Sequence, residues 1–209
     1  MKISEVSKLL TKGFGEIYKP LEFKKWKYGY KKDVGKFSYT FGFASSNMDN
    51  SFPSTFYYRL GSHAIGNILN RIIPLTERDI QIIGIGQADL FEAKKFPILK
   101  YDIYTVEDVN KMVSEVSTYF ISEVLPYLES IASIEELERI TNAELNPWKK
   151  STGLILAKLV KNTEYEDLKN KYRELLKNWS DWDKQELEKV IDFLDSHSQE
   201  ELQKISETA

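Results

Sequence analysis

From Ile3 onward the apolar residues Ile3, Val6, Leu9, Leu10, Phe14 and Ile17 recur at steps of mostly three or four. That spacing predicts a helix with one buried stripe, which Pro20 ends. The period then falls to two. Trp26, Tyr28 and Tyr30 alternate with lysines and glycine, KKDVGK supplies turn-forming residues, and Phe37, Tyr39, Phe41 and Phe43 alternate again. This is the pattern of a β-hairpin with one aromatic face. After the polar segment SSNMDNSFPS, residues 55–63 read as a third strand with Phe56, Tyr58 and Leu60 on one side. Ile65, Ile68, Leu69, Ile72 and Ile73 return to helical spacing and stop at Pro74, and IQIIGIG (80–86) and PILKYDIY (97–104) read as two further strands.

The second half is helical, and its starts are marked by capping residues. Thr105 with Glu107 and Asp108 opens a helix whose stripe runs Val109, Met112, Val113, Val116, Phe120 and Val124, with Pro126 expected to kink or stop it. Ser133 with Glu136, Thr163 with Glu166 and Ser198 with Glu201 fit the capping box, in which two side chains satisfy orphan backbone donors reciprocally. Asn146-Pro147 and Ser180-Asp181 mark two more starts. The order predicts an α+β fold. Residues 1–104 form an N-terminal helix and an antiparallel sheet of about four or five strands. Residues 105–209 form a helical layer that covers one sheet face and packs with the first part as one domain.

The passage GEIYKPLEFKK leading into the hairpin, DIYTVEDV opening a long helix, and VLPYLESIASIEELERI beyond it resemble an uncharacterised bacterial family of unknown function, similar in layout to toxin-immunity proteins. The resemblance implies a protein partner, a toxin among the candidates, and carries no catalytic residues onto this chain.

Composition narrows the chemistry. The 209 residues, 42% hydrophobic and 13% aromatic, suffice for a core without crosslinks, and the absence of cysteine excludes disulfides, thiolate metal sites and a cysteine nucleophile. MKISEVSKLL has no secretory pattern and no stretch reaches the length of a membrane span, so a cytoplasmic protein with no membrane partner is expected. The net charge of −3 hides a division: residues 1–104 hold 16 basic and 10 acidic side chains, residues 105–209 hold 13 and 22. The two halves attract each other if they pack together, and otherwise present faces of opposite sign to partners.

No catalytic or cofactor signature emerges. His63 and His197 are far apart in sequence and read as surface histidines, so no metal is expected. IGIGQADL carries G-x-G after a strand, but Asp89 stands where a dinucleotide site needs its third glycine, and no phosphate-binding loop motif occurs. Neither ATP nor NAD is expected. Glu135, Glu136, Glu138, Glu200 and Glu201 mostly fall in first helical turns, where they complement the helix dipole. Trp179 and Trp182 read as the clamp of a helix junction.

The stretch KKWKYGYKKDVGKFSYTFGF admits two uses, a stacking platform for single-stranded nucleic acid or a buried sheet face. The helices need an apolar floor, and each ring contributes roughly 1.5–3 kcal/mol when buried. The core reading therefore puts Trp26, Tyr28, Tyr30, Phe37, Tyr39, Phe41, Phe56 and Tyr58 inside. Period-two geometry then turns Lys25, Lys27, Gly29 and Lys31, Ser38, Thr40 and Gly42, and Tyr57, Arg59 and Gly61 outward. Of these, Lys25, Lys27, Lys31, Tyr57 and Arg59 form the expected binding face of a non-enzymatic protein-binding module. A nucleic-acid-binding accessory domain using the same lysines, and an enzyme with a site built from dispersed carboxylates, are the alternatives.

Overall fold

The computed structural model describes residues 2–26, 29–48, 51–73, 84–85 and 100–208. In chain order these form α1 (Ile3–Tyr18), a 3-10 turn (Lys19–Leu21), β1 (Lys24–Trp26), β2 (Gly29–Val34), β3 (Phe37–Ser45), β4 (Phe52–Ser62) and α2 (His63–Ile72). Next come β5 (Gly84–Ile85), β6 (Lys100–Ile103), α3 (Val106–Tyr119), a π-helical turn (Phe120–Val124), α4 (Leu125–Ser130) and α5 (Ile134–Ala143). A second 3-10 turn (Pro147–Lys149) leads to α6 (Lys150–Leu159), α7 (Tyr165–Leu175), α8 (Asp181–Ser196) and α9 (Gln199–Glu207). The fold is α+β. Two compact units divide the chain, one comprising Met1–Leu60 and Gly86–Ser130, the other Gly61–Ile85 and Ile131–Ala209.

Among the described residues the sheet has six strands in the order β1-β2-β3-β4-β5, with β6 also paired to β4; β1–β2, β2–β3 and β4–β6 are antiparallel. Its aromatic face is its core. Tyr30 pairs with Phe41, Lys32 with Tyr39 and Val34 with Phe37, so these share one side. Val6, Leu10, Phe14 and Tyr18 of α1 are all fully buried at four-residue steps, the stripe expected of a helix lying on a sheet. Phe41 is the centre. Its ring stacks on Tyr18 at 4.5 Å, meets Phe14 edge-on at 4.8 Å, and lies 5.6 Å from Tyr58 and 6.0 Å from Phe120 of the π-helical turn. Burial raises the pKa of the Tyr18 and Tyr58 hydroxyls far above the ordinary phenol value, so both stay protonated at any physiological pH.

Two details of the hairpin depart from the alternation read in the sequence. Trp26 pairs with Gly29 and Lys25 with Tyr30, so the chain reverses between β1 and β2 where a single strand through residues 26–30 is expected. Gly29, with φ +150°, supplies the backbone conformation an ordinary residue resists. The reversal puts Trp26, half-buried, on the face away from the aromatic core; Tyr28 lies outside the described residues. The second departure is in β3. Ser38, Thr40 and Gly42 do share the face opposite Phe41, yet all three are buried. β3 is flanked by strands on both sides, and long neighbours overtop its small residues: a Cβ at Gly42 would sit 2.1 Å from Cζ of Tyr57.

α3 begins as its sequence indicates. Thr105 Oγ1 accepts from the Asp108 amide at 3.2 Å while Asp108 accepts from the Thr105 amide at 2.9 Å, a closed capping box. Pro126 neither donates to the helical ladder nor tolerates the carbonyl four residues earlier, and the π-helical turn before it absorbs the mismatch. The expected kink is thus a widened turn.

In the second unit α6 is the central helix, with Gly153, Leu154, Ile155, Leu156 and Ala157 consecutively buried. Ser133, Ser180 and Ser198 cap α5, α8 and α9, and the reciprocal box expected at Ser133 and Ser198 closes at Ser198, with Glu201. Thr163 does not cap α7. The N-cap position is Glu164, which makes no side-chain cap, and the turn before it is held by Asn162, whose Oδ1 accepts from the Glu164 amide at 2.8 Å while its Nδ2 donates to Glu138 at 2.7 Å. His197 stacks on Phe193 with ring centroids 4.1 Å apart.

Buried lysines tie these helices together. Lys150 meets Asp183 at 3.0 Å and Glu186 at 3.2 Å, and Lys169 meets Asp195 at 2.7 Å. Burial raises the Asp195 pKa, but the Lys169 ammonium and the Tyr165 hydroxyl lower it more, leaving it below the ordinary carboxylate value. The Arg173 guanidinium, bound through two bonds of 2.8 Å, lowers Glu188 as well. A depressed folded-state pKa adds stability above the unfolded carboxylate pKa of about 4, and that stability is lost as pH falls through the folded value. Urea midpoints are therefore expected to fall as pH drops below about 4. Asp195→Asn should lower the midpoint at pH 7 and flatten the acid decline; a decline as steep as the parent's would show that Asp195 is not among its causes.

Candidate cationic groove

α1 has two flanks beside its buried stripe, and one of them is lined by Ser7, Lys8, Thr11, Lys12, Glu16 and Lys19. β1 and β2 close the other side of a groove of about 760 Å³, with Lys25 on the wall and Tyr30 at the floor. Tyr30 holds the two walls together. It is 1% exposed, and its hydroxyl donates to the Thr11 carbonyl at 2.5 Å. Burial raises its pKa, so it remains a donor. Gly15 permits the approach, because a Cβ there would stand 2.8 Å from the tyrosine oxygen.

The electrostatics of the groove follow from pairing. Lys31 is neutralised by Asp33 at 2.9 Å and Lys32 by Glu22 at 3.3 Å. Lys8, Lys12, Lys19 and Lys25 are exposed, and among the described residues none of them has a carboxylate within ion-pair distance. Glu16 is the one acidic residue lining the groove. Single exposed charges contribute little, but four of one sign around a concave surface reinforce one another's potential. The surrounding sequence adds to it, since residues 1–60 contain eleven lysines and arginines against five aspartates and glutamates.

The residues expected to form one binding face are divided between two. Lys31 pairs with Thr40 on the face away from α1, and Tyr57 shares that face over Gly42 with Arg59 stacked on its ring at 4.4 Å. Lys25 pairs with Tyr30 and faces the α1 side. Lys27 lies outside the described residues. Lys8, Lys12 and Lys19, which line the groove, were not among the residues expected on the binding face. Their spacing is legible in the sequence, because residues four and seven apart on a helix flank the same stripe.

Among the described residues no three His, Cys, Asp or Glu side chains cluster as metal ligands would, and no helix is long and apolar enough to cross a membrane. The G-x-G of residues 84–86 lies largely outside the described residues, with Gly84 and Ile85 in β5. No protein-family model, curated protein or solved structure matches the chain.

Proposed function

We propose that the protein is a non-enzymatic binding module that takes an acidic protein partner against the groove between α1 and β1. The observation that carries this is the set of four lysines, Lys8, Lys12, Lys19 and Lys25, gathered around one groove with no carboxylate partner among the described residues. If the resemblance of the sequence to toxin-immunity proteins holds, the partner is a toxin. Nucleic acid suits the groove less well. Its one ring, Tyr30, is buried and offers no face for base stacking, and it has no arginine to grip phosphate in the bidentate manner.

Titration of the full chain with poly-glutamate and, separately, with an oligothymidylate tests the reading. Poly-glutamate should bind, weaken with added salt, and lose at least about tenfold in affinity when all four lysines become glutamine, given a few tenths to one kcal/mol per exposed pair. Unchanged affinity in the glutamine variant, or preferential binding of the oligothymidylate, would refute it.

A further inference from the structure

The wall that Lys25 occupies is a sheet edge. β1 is the outermost strand, paired only with β2 among the described strands. Lys24 and Lys25 make no main-chain hydrogen bond beyond that ladder among the described residues. In an edge strand alternate residues turn N–H and C=O groups away from the sheet, and these are the groups to which another strand adds. Lysines on an edge discourage addition of neutral strands. The same lysines favour an acidic one, so the edge is selective as well as protected.

We infer that the groove's occupant is an extended acidic segment of the partner, added as a strand beside β1, with alternate carboxylates directed at Lys8, Lys12, Lys19 and Lys25. This rests on the binding reading above and specifies its geometry. The spacing of Lys8 and Lys12 suits it. Lys8 and Lys12 are separated by one helical turn with a rise of about 6 Å, and alternate side chains of an extended chain recur every 6.6–6.8 Å or so. From Lys8 to Lys19 the helix rises about 16 Å, which five extended residues span. A helical acidic partner could satisfy the lysines but not the main-chain groups of β1. An extended segment satisfies both, and the main-chain bonds give affinity while the carboxylates give specificity.

The test uses the full chain and a ten-residue peptide of glutamate alternating with serine, together with two versions of it N-methylated on the even or on the odd backbone amides. All three carry the same charge. A strand pairs with β1 through only one parity of amides, so one methylated peptide should bind at least tenfold more weakly than the parent peptide while the other is less affected. Amide hydrogen exchange at Lys24 or Lys25 should slow on binding the parent peptide. Equal binding of all three peptides, with exchange at β1 unchanged, overturns strand addition and leaves the lysine groove standing. Failure of every peptide to bind, or binding indifferent to the four glutamine substitutions, overturns the binding reading and this inference with it.

Discussion

Phe41→Ala is expected to lower the unfolding free energy by about 3–5 kcal/mol, measured by urea denaturation. Phe41 is fully buried and its ring is in contact range of Phe14, Tyr18, Phe56, Tyr58 and Phe120, so no neighbour can relax into the space without losing its own partner. Phe41→Leu, which keeps most of the volume, should cost less than half as much. A loss below about 1 kcal/mol for the alanine variant would mean that the aromatic face is not the floor on which α1 and α3 rest.

The second large effect is expected at Gly153→Ala. A Cβ there would stand 2.3 Å from the Tyr172 hydroxyl and 2.5 Å from Asn142 Oδ1, atoms that are themselves bonded at 3.0 Å. Asn142 also donates to the Gly153 carbonyl at 3.1 Å and to the buried Glu138 at 2.9 Å, so one methyl group displaces a connected polar network. Overpacking together with the lost bonds should cost about 3 kcal/mol. Because the nearest obstacle is the phenol oxygen, Tyr172→Phe should recover part of that loss in the double variant although it is destabilising alone. Simple additivity of the two changes would show that the methyl group does not act through Tyr172.

Element type was readable from periodicity wherever one face of an element is buried. Val6, Leu10 and Phe14 announce α1, whose stripe closes on Tyr18 where the spacing points to Ile17, and Phe37 through Phe41 announce β3, because burial imposes the period on the sequence. Face assignment failed at Trp26. A two-residue reversal shifts the parity of everything before it, and Gly29 was the sole local hint that the chain turns there. Thr163 matched the capping pattern locally, yet the helix starts at Tyr165 with Glu164 as its uncapped N-cap, and the turn before it is held by Asn162, bonded to Glu138 24 residues away in sequence. The groove was the least legible feature. Lys25 and Tyr30 reach Lys8, Lys12 and Thr11 only after β1 folds back along β2, and no spacing in the chain records that meeting.

The most direct measurement of the central claim is a backbone amide NMR titration of the full chain with the alternating glutamate peptide. The largest shift changes are expected on residues 7–19, along α1 and into the 3-10 turn, and on Lys24 and Lys25, and they should shrink as salt is added. Changes centred instead on Lys31, Tyr57 and Arg59, or confined to the helices of the second unit, would contradict it.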